Sequence, residues 1–106
     1  MSALYRRFEI LLPRRFNDGS PVPDELIADT LAELEDYFGA VTSDTQPVHG
    51  LWRHEDILFR DELIRVFVDA EDTADSRDFF VEFKERLKMR FRQIEIRMTT
   101  HLIDVL

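Results

Sequence analysis

Apolar residues at every second position mark three stretches of this chain as strands of a sheet. The runs are Phe8, Ile10 and Leu12; Ile64, Val66 and Val68; and Ile94, Ile96 and Met98. Alternate side chains of a strand point to opposite faces, so this pattern is typical of a sheet with one buried face. It predicts strands over residues 7–12 and 57–70 and a last main strand from residue 94, with the tail 101–106 extending that strand or pairing elsewhere.

Two further stretches repeat their apolar residues at intervals of three and four, the spacing of one face of a helix. The positions are Ile27, Leu31, Leu34 and Phe38 in the first stretch and Phe80, Phe83, Leu87 and Phe91 in the second. Pro23 suits the first turn of a helix, and Gly39 suits a left-handed cap at its end. The sequence therefore predicts one helix over residues 23–38 and another over residues 74–93.

The polar segment before residue 57 predicts a hairpin turn. His54, Glu55 and Asp56 separate an extended stretch over residues 40–53 from the long strand over residues 57–70. Pro47 interrupts the first of these stretches, and proline is tolerated mainly at the edge of a sheet because it lacks an N–H donor. We therefore expect the first arm of the hairpin to lie at a sheet edge.

The predicted elements follow the order β-α-β-β-α-β. This order resembles that of the ferredoxin-like superfold over nearly the whole chain. The resemblance implies an α+β sandwich in which two helices cover one face of a four-stranded antiparallel sheet. A chain of 106 residues that is 44% hydrophobic can bury one modest core, so we expect a single domain over residues 1–106. Because this superfold hosts many unrelated functions, function has to be argued from individual residues.

Composition narrows the possible partners and compartments. The chain has 22 acidic and 14 basic residues, and its net charge of -8 disfavours nucleic acid, whose binding depends on neutralising phosphates. It has no cysteine, and its first residues lead into a strand without the apolar core of a signal peptide. No apolar run approaches the roughly 20 residues of a membrane helix. We expect an acidic cytoplasmic protein that contacts neither nucleic acid nor membrane.

The sheet face turned away from the helices, called here the open sheet face, is expected to be partly apolar. It carries Leu11, Leu63 and Phe67 among charged residues, and no other part of the chain is left to cover it. A second copy packed on this face would cover it, and two-fold dimers are the commonest oligomers. We therefore predict a homodimer with these three residues in the interface.

Five residues are candidates for a ligand site: His49, Trp52, His54, Asp61 and His101. Histidine is the side chain that ordinarily changes charge near neutral pH, an indole can stack on a ligand, and a buried carboxylate can move a proton. The histidine spacing matches no metal signature, and phosphate-loop and nucleophile motifs are missing. We assign no catalytic residue, metal or cofactor. The simpler interpretation is that the histidines lie at the surface and that Trp52 packs within the core or the hairpin.

Three functional hypotheses follow. The first is a non-catalytic, self-associating interaction or regulatory module, because the open sheet face is uncovered and no catalytic motif is present. The second is a small-molecule-binding or enzymatic protein of the dimeric α+β barrel type, with a pocket near Trp52 and His49 or His54. The third is an adaptor whose acidic first helix docks on a basic protein partner, since residues 24–36 carry six acidic side chains and no base.

Overall fold

The computed structural model describes residues 3–106 as five strands and two helices. In chain order they are β1 (Tyr5–Pro13), α1 (Asp24–Phe38), β2 (Thr42–Ser43), β3 (Val48–His54), β4 (Ile57–Glu71), α2 (Ala74–Arg90) and β5 (Met98–Ile103). The strands form one antiparallel sheet in which β1 and β4 are central and β5 lies beside β1. Both β2 and β3 pair with β4 on its other side, at successive positions along its length.

This architecture confirms the predicted α+β sandwich, with one refinement of the sheet. A single edge strand was expected before the long strand β4. Instead, the short β2 and the longer β3 share that edge, and they are separated by a bend just before Pro47. The sheet therefore has five strands in four positions.

The core lies between the two helices and one face of the sheet. Its buried apolar residues are Phe8, Ile10, Leu12, Val22, Leu34, Val66, Val68, Ala70, Phe80, Phe83, Leu87, Phe91 and Ile96. The rings of Phe8 and Phe80 stack with centroids 4.1 Å apart, which joins the central strand to α2. The apolar faces that the strand and helix periodicities predict therefore pack against each other in one core. Of the two helices in residues 3–106, neither has the length and apolar character needed to cross a membrane.

Capping residues explain where α1 ends and where α2 begins. Gly39 ends α1 with φ 85°, a left-handed conformation that glycine adopts without strain. Thr73 caps α2, because its side-chain oxygen accepts a hydrogen bond of 3.1 Å from the backbone N–H of Ser76. The predicted end of α2 at residue 93 was three residues too late, since the helix ends at Arg90 and Arg92 has φ 55°.

The last strand begins later than its apolar alternation suggested. The prediction started it at Ile94, but Ile94 is 92% exposed and β5 begins at Met98. Only Ile96 of the intervening segment reaches the core, and the carbonyl of the next residue, Arg97, accepts a hydrogen bond from the N–H of Leu11. The tail extends the strand as far as Ile103, which pairs with Tyr5.

Candidate functional site

A long hairpin projects beyond the rest of the sheet. It consists of β3 and the first half of β4, joined by a two-residue turn at Glu55 and Asp56. β1 ends at Pro13, opposite Leu63, so among residues 3–106 the part of β4 nearer the turn has only β3 as a neighbouring strand. All twelve residues from 51 to 62 are exposed. We call residues 48–63 the projecting hairpin.

Both faces of the projecting hairpin are apolar. Its exposed large apolar residues are Leu51, Trp52, Ile57, Leu58 and Phe59. Because side chains alternate along a strand, Trp52, Ile57 and Phe59 share the face that continues the open sheet face. Leu51 and Leu58 lie on the opposite face. A two-stranded ribbon that exposes apolar side chains on both faces buries little surface within its own chain.

Trp52 anchors a small cluster on the projecting hairpin. Its ring stacks on that of Phe59, directly across the strand pair, with centroids 4.3 Å apart and planes 14° apart. The indole Nε1 donates a 2.8 Å hydrogen bond to Oδ2 of Asp61. These two contacts hold the indole in one orientation although it is half exposed.

A cleft of about 520 Å³ lies where the projecting hairpin joins the rest of the molecule. One wall is the hairpin itself, and the other is formed by the loops that follow β1 and α2. Its aromatic and apolar lining consists of Leu11, Pro13, Phe16, Trp52, Phe59, Leu63 and Ile96. Arg15, Arg60, Asp61, Glu62 and Glu95 supply charged groups. The volume is within the range that binds small molecules.

One of these charged groups is held as a carboxylate. A hydrogen bond from Lys84 and a second from the backbone N–H of Ile96 lower the pKa of Glu95 below its ordinary value. The Lys84 Nζ lies 2.9 Å from Glu95 Oε1. Glu95 therefore contributes a fixed, already paired negative charge to the cleft rather than a group ready to accept a proton.

The cleft contains two of the five candidate ligand residues. Trp52 and Asp61 line it and are hydrogen-bonded to each other. His49 lies on the opposite face of the hairpin, His54 lies beside the turn, and His101 lies on β5 next to Arg7. All three histidines are exposed, and none lines the cleft. Within residues 3–106, no three His, Asp or Glu side chains are grouped so that they could hold a metal ion.

Phe16 and Phe59 are site residues that the sequence reasoning missed. Phe59 could have been found from register, because a two-residue turn at Glu55 and Asp56 places it opposite Trp52. The broader predicted turn, which starts at His54, obscures that register. Phe16 lies in the loop after β1, and no periodicity marks it.

The open sheet face is more polar than its three apolar residues suggested. Leu11 and Leu63 line the cleft at one end of this face. Two guanidinium groups contact the Phe67 ring, with the Cζ atoms of Arg7 and Arg65 at 4.0 Å and 4.6 Å from its centre. Both arginines are themselves paired, Arg7 with Asp69 at 2.7 Å and Arg65 with Glu9 at 2.6 Å. The hydrogen bond from Arg7 to Asp69 raises the pKa of Arg7 above its usual value. The Arg7 guanidinium that contacts the Phe67 ring therefore keeps its positive charge.

No family model matches the chain, and no curated protein matches it in sequence. Solved structures do share its fold. A divalent cation tolerance protein, CutA1, from Thermus thermophilus is 15% identical, with 93% of this chain and 84% of that chain covered and a TM-score of 0.64. CutA from Synechococcus elongatus PCC7942 is 8% identical, with 96% and 79% covered and a TM-score of 0.66.

A phage SAM lyase in complex with S-methyl-5'-thioadenosine also has this fold. It is 11% identical, with 100% of this chain and 90% of that chain covered and a TM-score of 0.70. At such low identities these likenesses establish the fold. Divalent cation tolerance and SAM lyase activity are properties of the neighbouring proteins that carry those names.

Proposed function

We propose that the protein is a self-associating interaction module whose projecting hairpin forms the contact between copies. The observation that carries this proposal is the run of exposed residues from 51 to 62, which includes five large apolar side chains. Exposed apolar clusters of this kind are typical of interaction surfaces. The assembly that we expect is a homodimer.

The hairpin needs a partner for its own stability. An isolated two-stranded ribbon is marginal in water, and this one extends past the end of β1 at Pro13. Burial of apolar surface contributes about 25 cal/mol per Å². Association that covers Leu51, Trp52 and Phe59 would therefore stabilise the ribbon and the assembly together.

The hairpin supports self-association better than the rest of the open sheet face does. Phe67 is already covered by two paired arginines, and removing those charges from water would oppose packing of a second sheet there. Leu11 and Leu63 lie next to the hairpin, at the cleft, and can extend a contact that begins on it. The interface is thus centred on the hairpin.

The test is the mass in solution, measured by light scattering over a range of concentrations. Leu51→Glu should weaken association by about tenfold or more, because it places a carboxylate in an apolar contact. The matched control is Val81→Glu on α2, since Val81 is 62% exposed and Leu51 is 65% exposed. The control should keep the wild-type mass. A monomeric wild type at every concentration would contradict the proposal, as would equal effects of the two substitutions.

A second function, binding of a small molecule, is favoured by the cleft beside Trp52. The cleft combines stacked aromatic rings, apolar side chains and the carboxylate of Asp61, a set that suits a planar ring bearing a hydrogen-bond donor. S-methyl-5'-thioadenosine, the compound bound by the phage lyase of similar fold, has this chemistry and is a suitable probe.

Trp52 is the single tryptophan and reports on the cleft directly. Titration with S-methyl-5'-thioadenosine should quench its fluorescence in a saturable way. Phe16→Ala, which removes one wall of the cleft, should weaken this binding several-fold, whereas Val81→Ala on α2 should leave it unchanged. Quenching that rises linearly up to millimolar probe, or that is the same in both variants, would show that the cleft does not bind this ligand.

A further inference from the structure

We propose that two copies join through the outer edges of their β3 strands, which pair antiparallel around a two-fold axis at Leu51. This inference rests on the self-association proposed above and specifies its geometry. Leu51 is the middle residue of the seven-residue strand Val48–His54. In this register Leu51 faces Leu51 of the partner subunit, and the two hairpins form one four-stranded ribbon between the two protein bodies.

Among residues 3–106, β3 pairs with β4 alone, so the backbone groups on its outer edge are free to pair. A two-residue turn closes on a pair that exchanges both backbone hydrogen bonds, here His54 and Ile57. Alternation along the strand then directs the N–H groups of His49, Leu51 and Arg53 away from β4. Across the two-fold axis these groups and their carbonyls would form about six hydrogen bonds.

Gly50 provides a second argument for this register. Its φ is not in the left-handed region, and a Cβ built there would meet only Leu63 Cδ1 at 3.6 Å and Asp61 Cβ at 3.9 Å, which are ordinary contacts. Its own protomer therefore does not require glycine. With Leu51 on the axis, Gly50 lies opposite Trp52 of the partner subunit. Residues of such a non-hydrogen-bonded pair approach closely, and the missing side chain leaves room beside the Cβ of that tryptophan, whose ring stays on Phe59 of its own hairpin.

Charge also favours this strand as the meeting point of two acidic molecules. The protein carries a net charge of -8, yet β3 contains no carboxylate and has Arg53 as its charged residue. Two copies can therefore bring these edges together without opposing acidic side chains directly. The strand also lacks the usual protections of a free edge, which are an internal proline, lysines or a very short length.

The same pairing explains how the ribbon becomes stable. Two strands alone are marginal, whereas four strands with apolar residues on each face support one another. Leu51 of both copies would meet on one face, and Trp52 and Phe59 of both copies would lie on the other. The other free edge of the sheet, β5, exposes one large apolar residue, Leu102, and is the weaker candidate.

Single-cysteine variants test the register, because the protein has no cysteine of its own. Facing residues of a hydrogen-bonded pair have Cα atoms about 5.5 Å apart, a distance that a disulfide spans. Leu51→Cys should therefore form a disulfide-linked dimer under mild oxidation. Arg53→Cys is the matched control on the same edge, and the Cα atoms of its two copies would lie about 14 Å apart. It should remain unlinked.

Each outcome decides between the proposals. Rapid linkage of Leu51→Cys, with at least a tenfold slower reaction of Arg53→Cys, supports the β3 pairing. If the wild type is dimeric but Leu51→Cys does not link, or both variants link equally, the pairing is overturned while self-association stands. Linkage of His101→Cys instead would assign the contact to β5. A monomeric wild type removes both proposals.

A substitution at Gly50 gives a readout that does not depend on oxidation. Gly50→Val should weaken dimerisation by about tenfold, because its branched side chain would occupy the space assigned to Trp52 of the partner subunit. Its far-ultraviolet circular dichroism should stay at the wild-type level, since a Cβ at this position makes only ordinary contacts within the protomer. A Gly50→Val protein that dimerises like the wild type would contradict the proposed register.

Discussion

Arg90 of α2 joins the two helices through two side-chain hydrogen bonds to α1. Its Nη1 donates to Thr30 Oγ1 at 2.9 Å and its Nη2 donates to Glu33 Oε1 at 2.6 Å. Thr30 is fully buried, and its hydroxyl in turn donates to the carbonyl of Leu26 at 2.7 Å. One guanidinium thus satisfies a buried hydroxyl and pairs with a carboxylate of the acidic helix.

Replacing Arg90 by alanine should therefore cost more stability than removing an exposed charge from the same helix. We expect Arg90→Ala to lower the free energy of unfolding by about 1–2 kcal/mol, because two charge-assisted hydrogen bonds are lost. Arg86 lies 3.6 Å from Glu33 but its side chain is 54% exposed, so Arg86→Ala should cost less than about 1 kcal/mol. Urea unfolding of both variants measures the difference, and equal losses would contradict this account of Arg90.

The turn of the projecting hairpin is the strained part of an otherwise regular element. Glu55 and Asp56 have φ values of 50° and 65°, in the left-handed region that a two-residue hairpin turn requires. Asparagine and glycine occupy these positions with least cost, whereas other residues lose about 1 kcal/mol or more there. The hairpin keeps its register although its turn residues are not the favoured ones.

The positive φ values at the turn predict which substitutions stabilise the hairpin and which destabilise it. Glu55→Asn combined with Asp56→Gly should stabilise the hairpin by about 1 kcal/mol, and Asp56→Ala should destabilise it by a similar amount. Fluorescence of Trp52 during thermal unfolding follows the hairpin itself. If the alanine variant melts at or above the melting temperature of the asparagine-glycine variant, strain at the turn does not limit the stability of the hairpin.

The folded protein is more elongated than a compact domain with the same number of residues. Its radius of gyration is 14.8 Å and its longest dimension is 51 Å, against 30 and 25 Å in the other directions. A compact domain of this length has a radius of about 13 Å. The excess reflects the projecting hairpin. The protein therefore commits residues 48–63 to an element that adds no side chain to the buried core.

The candidate site is partly predictable from sequence. Trp52 and Asp61 both flank the predicted hairpin turn, and in the folded protein they form a hydrogen bond. The three histidines are candidates by residue type alone, and none of them lines the cleft. Residue type carries no information on distance, whereas hairpin register does. Counting outward from a two-residue turn at Glu55 and Asp56 is enough to pair Trp52 with Phe59.

The positions of both helices, the buried faces of β1 and β4, and the α+β sandwich all follow from local periodicity in the sequence. The period-two run through Phe8 and the period-three-and-four run through Phe80 each specify a face, and the two faces stack. The point at which β1 stops relative to β4, and hence the projection of the hairpin, follows from tertiary pairing. That boundary depends on pairing between Pro13 and Leu63, 50 residues apart in the chain, which no local pattern encodes.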